Sequence, residues 1–280
     1  MRTGIIVAGV LGLGLCGCRP AADGQGKAEL VADVESIQPG TPFMAGVLIR
    51  VPEHWHTYWR NPGDSGGPPE MDWQLPEGFT AGPVLWPAPR AFEEPPLTSF
   101  GYENKVLLFR EIRPPVNLAT GSDAVLGVKI TWLVCRDVCL SETAQLRLAI
   151  PVRSDPPAKS AQWRGVFERA RQALPQHDPQ WTFRAGAERN DIFLCAKPGP
   201  DLAAGGLAGA RFFPSEPNLV EYGLQTWLES QGEYCLRMKR ISADGPLPGR
   251  MEGVLVLPGG KEDGAIAVDV AIESTRKGEP

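Results

Sequence analysis

The sequence predicts an all-β fold, two immunoglobulin-like β-sandwich domains joined by a short helix, and three observations carry that reading. Several segments, residues 144–150 (AQLRLAI) the clearest, alternate apolar and polar residues, the period-2 pattern of a sheet with one buried face. Glycine and proline number 32 and 28 among 280 residues, and with eight tryptophans they suit short strands joined by many turns. About 260 residues remain after an N-terminal leader, more than one small sandwich needs, so two domains of ordinary size are expected.

The leader sets the compartment. Arg2 supplies a short positive region and residues 4–15 (GIIVAGVLGLGL) an apolar run. That run is shorter than the about 20 residues a membrane-spanning helix needs, so residues 1–17 read as a secretory signal. Leu15-Cys16-Gly17-Cys18 is similar to a lipobox, with an aliphatic residue at −3, a small one at −1 and Cys18 as the lipidated residue. Ordinary signal cleavage slightly downstream is the alternative. Residues 18–28 then form a lipidated tether of small polar residues. Acyl chains contributing about 0.8 kcal/mol per buried CH₂ make a firm anchor. Arg19, rather than Asp, after the cysteine favours the outer membrane over the inner. The expected location is therefore the periplasm, anchored by lipid. A net charge of −5 without a basic run argues against a nucleic-acid partner.

Along the body, residues 29–153 read as strands separated by turns, with strands at 43–51, 105–112, 124–134 and 144–150 and turns at 61–69 (NPGDSGGPP) and 76–78 (PEG). A boundary follows at Ser154-Asp155-Pro156-Pro157, opening a linker over 154–179. Within it, residues 162–174 (QWRGVFERARQAL) place Trp163, Val166, Phe167, Ala170 and Leu174 at helical spacing, and Pro175 stops the helix. Between two β domains this is a packing helix or linker rather than a membrane-surface helix. A second sandwich is expected over 180–280, with strands near 181–184, 191–196, 210–213, 234–238, 253–257 and 265–272.

With Cys18 assigned to lipid, four cysteines remain to do chemistry in an oxidising compartment: Cys135, Cys139, Cys195 and Cys235. Cys135 and Cys139 flank Arg136-Asp137-Val138, three residues that suit a tight hairpin bringing the sulfurs together. Closing so short a loop stabilises by only about 2 kcal/mol, whereas joining Cys195 to Cys235 across about 41 residues contributes nearer 4 kcal/mol. The distant pair therefore suits a structural disulfide, if it forms rather than remaining two buried thiols. The local pair suits reversible exchange. Arg136 lowers a neighbouring thiol pKa and Asp137 raises it, and the sequence leaves open which dominates. Two thiolates with His54 or His56, which alternate around Trp55 on one strand face, could also hold Cu(I) or Zn. No second cysteine pair or adjacent third ligand accompanies them, so neither a metal site nor any cofactor is predicted. Hydrolase motifs and a phosphate-binding glycine loop are absent from the sequence, and Gly66-Gly67 and Gly205-Gly206 read as turns.

Five motifs then occur in a familiar order: residues 54–64 (HWHTYWRNPGD), 72–79 (DWQLPEGF), 85–89 (LWPAP), 100–103 (FGYE) and 132–139 (WLVCRDVC). Over roughly residues 29–152 the chain resembles the periplasmic N-terminal domain of the DsbD/ScsB thiol:disulfide interchange proteins. The second half, notably residues 210–214 (ARFFP), more loosely resembles the extra β domain of ScsB-type members. The resemblance implies an immunoglobulin-like domain that relays reducing equivalents from a membrane-embedded thiol reductase to thioredoxin-fold periplasmic partners. It maps the partner-bonding cysteine to Cys139 and the resolving one to Cys135. A cap over the pair maps to residues 99–102, with Phe100 as the lid residue and Tyr102 second, against the plainer reading of both as core packing. The family's membrane and thioredoxin-like domains have no counterpart in this sequence, so the reductase is expected to act in trans. Two other functions stay open on sequence: a non-catalytic binding or assembly lipoprotein with structural cysteines, and a copper-handling protein.

Overall fold

In a computed structural model, which describes residues 26–199, 206–242, 245–257 and 264–274, the first half of the chain forms two antiparallel sheets. The expected signal peptide, the expected lipidation site Cys18 and most of the expected tether lie outside the described residues. Ten strands build this half: β1 (Lys27–Ala32), β2 (Phe43–Arg50), β3 (His56–Gly63), β4 (Glu70–Gln74), β5 (Thr80–Ala81), β6 (Arg90–Glu94), β7 (Leu97–Glu103), β8 (Lys105–Arg113), β9 (Asp123–Cys135) and β10 (Cys139–Pro151). One sheet runs β1-β2-β8-β5. The other runs β10-β9-β3-β7-β6, with β4 also paired to β9.

The apolar runs on β2 (GVLI) and β8 (VLLF) are continuous because both faces of that sheet are covered. Val47, Ile49, Val106 and Leu108 face the sandwich core with Trp59, Phe100, Ile130 and Val134. The alternate residues Leu48, Leu107 and Phe109, with Val31 of β1, pack under the helix α1 (Arg164–Gln172) through Phe167 and Ala170. The Phe109 and Phe167 rings meet edge-on at 5.8 Å. Gly46 lies opposite Phe109, and a Cβ there would sit 2.5 Å from that residue's Cβ, so the position needs glycine. The predicted helix is thus a packing element of the first domain. Asp33, 2% exposed, fastens it: one carboxylate oxygen accepts the Met44 N–H at 2.9 Å, and the other accepts Lys159 and Arg171, both at 2.7 Å. No helix among the described residues is long and apolar enough to cross a membrane.

The second half contains β11 (Thr182–Glu188), β12 (Asp191–Lys197), β13 (Arg211–Pro214), β14 (Trp227–Ser230), β15 (Glu233–Lys239), β16 (Arg250–Val256) and β17 (Ala265–Ser274). They form a single hydrogen-bonded path, β13-β16-β17-β11-β12-β15-β14. β17 changes partner along its length: its first part pairs antiparallel with β16, and Ile272 to Ser274 pair parallel with β11. A strand that switches sheets is how a sandwich turns a corner, and this path closes over a core that includes Ile192, Leu194, Phe212, Leu236, Val254 and Val268.

Candidate functional site

β9 and β10 pair residue for residue from Asp123↔Pro151 to Cys135↔Cys139, so the ladder ends at the two cysteines. Arg136, Asp137 and Val138 make the turn, closed by the Arg136 N–H donating to the Val138 carbonyl at 3.1 Å. The cross-strand pairing sets the two Cα atoms 4.1 Å apart, and the sulfurs form a disulfide of 2.07 Å. The two sulfurs differ in access: Cys135 is 1% exposed, while Cys139 and the neighbouring Val138 face solvent. The Arg136 guanidinium is engaged elsewhere, paired with Asp137 at 2.9 Å and stacked 5.1 Å from the Trp55 ring centroid.

Beneath the pair lies β3. His56 is the register partner of Cys135, and strand alternation puts Tyr58 on the same face. The Tyr58 hydroxyl is 3.6 Å from Cys139 Sγ. Burial pushes its pKa above the ordinary 10.0, against hydrogen bonds from Ser65 and Ser99 that pull it down. It is therefore a neutral hydroxyl, able to donate to a thiolate. Gly66, in the left-handed region at φ 85°, lets the loop after β3 lie on the Tyr58 ring, where a Cβ would be 2.1 Å from Cζ. His56 stacks on Phe92 at 4.4 Å and meets Tyr58 edge-on at 5.2 Å. Its Nε2 is buried without a hydrogen-bond partner among the described residues. Burial holds His56 below the ordinary imidazole value of 6.5, against Glu94 and Glu103, which act to raise it.

Phe100 and Tyr102 are not over the disulfide. Tyr58 pairs with Gly101 and Phe92 with Ser99, so Ser99, Gly101 and Glu103 share the cysteine face while Phe100 and Tyr102 project to the other side. Phe100 is fully buried against Phe213 and Tyr222 of the second half, at 5.0 and 4.9 Å, and the Tyr102 hydroxyl donates to the Pro87 carbonyl at 2.8 Å. The aromatic that does reach the site from the β6–β7 hairpin is Phe92. The sequence reading missed Phe92 and Tyr58, although alternation along His56-Thr57-Tyr58 was a usable signal for the latter.

His54 also departs from expectation. It precedes β3 in the left-handed region at φ 65° and pairs with Glu53 at 3.5 Å on the surface, so it does not share a strand face with His56. Cys195 and Cys235 are register partners on β12 and β15 and form a second disulfide, with Cα atoms 4.0 Å apart.

Residues 27–151 match the model of the family described as thiol:disulfide interchange protein DsbD, N-terminal. Comparison with curated protein sequences finds no match. Among solved structures, the N-terminal periplasmic domain of ScsB from Proteus mirabilis is similar in fold, with a TM-score of 0.65 at 18% identity over 89% of this chain and 93% of that one. The S-layer protein SbsC, domains 5-6, aligns over 90% of this chain and all of that one at 9% identity, with a TM-score of only 0.24. The family match ends at Pro151, where β10 ends, and it contains the whole Cys135–Cys139 hairpin and its β3 bed. Residues 27–151 of the chain therefore form a domain of the DsbD N-terminal family.

Proposed function

We propose that this chain is a periplasmic thiol–disulfide exchange module, relaying reducing equivalents from a membrane-embedded thiol reductase acting in trans to thioredoxin-fold partners through Cys135 and Cys139. The supporting observation is the asymmetry of the pair: an exposed Cys139 sulfur beside a neutral Tyr58 hydroxyl, and a buried Cys135 behind it. In the reduced state the Cys139 thiolate, accepting from Tyr58, attacks a partner disulfide and forms a mixed disulfide. The Cys135 thiol, losing its proton, then attacks Cys139 Sγ, releasing the partner as a dithiol and restoring the Cys135–Cys139 bond. Access decides the order, because an incoming protein sulfur reaches Cys139 first. Lipidation at Cys18 would hold the module at a membrane surface, with the outer membrane favoured by Arg19.

Trapping tests the assignment. Cys135→Ser should accumulate mixed disulfides between Cys139 and thioredoxin-fold proteins, and Cys139→Ser should accumulate none. Equal trapping by both variants, or by neither, contradicts this division of roles between the two sulfurs. Lipid labelling lost on Cys18→Ser tests the anchor separately.

A further inference from the structure

The second disulfide lies on the solvent side of its sheet. Register places Leu228, Cys235, Cys195 and Arg184 in one row across β14, β15, β12 and β11, all on one face. Leu228 is 67% exposed and Cys235 is half-buried, while Cys195 is covered. The apolar core is built from the opposite face, by Leu194, Ala196 and Leu236. A charged pair stands over the more accessible sulfur: Arg184 donates through Nε and Nη2 to both Glu233 carboxylate oxygens, and Arg184 Nη2 and Glu233 Oε2 each lie 4.0 Å from Cys235 Sγ. β12 and β15 are also joined by their own ladder from Asp191↔Lys239 to Ala196↔Tyr234, so opening the disulfide removes no backbone pairing.

We propose that Cys195–Cys235 is a second thiol–disulfide exchange site, distinct from Cys135–Cys139, that accepts electrons from a protein dithiol. A donor thiolate attacks Cys235, the accessible sulfur. The Cys195–Cys235 bond breaks and Cys195 leaves as a thiolate that takes up a proton. The donor's second thiol loses its proton and attacks the donor sulfur of the mixed disulfide, freeing Cys235 as a thiolate beside Arg184. Two electrons and two protons pass to the cysteine pair once Cys235 is protonated, and the donor ends as a disulfide. Arg184 is the cation that favours the Cys235 thiolate; Glu233 holds that guanidinium in place, and its own charge, at the same distance from the sulfur, opposes the thiolate in part. Leu228 supplies an apolar contact beside the sulfur for the donor surface.

The test uses the mature chain carrying Cys135→Ser and Cys139→Ser, so only the second pair reports and failure of the first site's assignment cannot interfere. Reduced thioredoxin serves as the probe donor under native conditions, followed by acid quench and maleimide labelling. Both cysteines should label while the β-sheet circular dichroism is retained. Thioredoxin lacking its resolving cysteine should be captured on Cys235 and not on Cys195. In the reduced protein, Arg184→Gln should slow alkylation of Cys235 at pH 7 about threefold to tenfold and move its pH profile upward, with Arg184→Lys restoring it. A pair that stays unlabelled until urea unfolds the chain overturns the proposal, as does capture on Cys195. An Arg184→Gln profile that superimposes on that of the parent overturns the role of Arg184.

Discussion

Tyr58 and His56 share a strand face with the Cys135–Cys139 pair, and each makes a separable claim. Removing the Tyr58 hydroxyl with Tyr58→Phe keeps the ring under Gly66 but deletes the donor 3.6 Å from Cys139 Sγ. A hydrogen bond to a charged acceptor is worth about 1.5–3 kcal/mol, so the Cys139 thiol pKa should rise and its alkylation at pH 7 should slow about tenfold. The urea midpoint should change little, and an unchanged alkylation profile contradicts the role. His56 works through linkage. Its folded pKa is depressed by burial below 6.5, so the unfolded chain binds a proton more readily. The stability it contributes is fully present above that ordinary value and is lost as pH falls towards the folded one. His56→Phe, which can keep the stack on Phe92, should flatten the urea midpoint between about pH 7 and pH 5. Which of these residues could be read in sequence follows from range. Cys135 and Cys139 are local to one turn, so their pairing was legible. Phe92 and Phe100 both flank the turn between β6 and β7, and which of them faces the cysteines depends on the Glu94↔Leu97 register, which residue types alone did not settle.

At the scale of elements, α1 shows how a short helix acquires stability from packing. Its nine residues are too few to hold a helix alone in water. Phe167 and Ala170 bury against Phe109 and Leu48, and Arg171 reaches the buried Asp33. Phe167→Ala should cost about 3–4 kcal/mol, seen as a lowered urea midpoint. Asp33→Ala should cost less, about 2 kcal/mol. Lys159 and Arg171 can turn to water, whereas the Met44 N–H loses its side-chain acceptor. A larger loss for Asp33→Ala than for Phe167→Ala would show that the ion pairs, not the rings, fasten the helix. The helix was legible from its 3.6-residue spacing. That β2 and β8 receive it was written only indirectly, in apolar runs too continuous for a sheet with one wet face. The edge strand β14 and the partner switch of β17 left no such trace, because pairing between distant segments is decided by tertiary contacts that propensity does not encode.

Across the whole molecule, the β6–β7 hairpin is held from both sides. On one face Phe92 stacks on His56 near the disulfide; on the other, Phe100 lies under Phe213 and Tyr222 of the second half. The docking is specific as well as apolar. The Asn61 amide donates to the carbonyl of Pro214 at 2.8 Å and to the Tyr222 hydroxyl at 3.1 Å, and Glu93 pairs with Arg211. Burying that amide between the two halves is favourable only while these partners are in place. The second half thus braces the hairpin that carries Phe92, and loosening the dock should loosen the Phe92–His56 stack beside Cys135. Phe213→Ala removes the ring against Phe100 without touching the cysteine face. It should raise amide hydrogen exchange in β6 and β7 and speed reduction of Cys135–Cys139 by dithiothreitol, while the ladder between β9 and β10 stays protected. If exchange rises only in β13 and β16, with β6, β7 and the reduction rate unchanged, the second half folds beside the hairpin without bracing it.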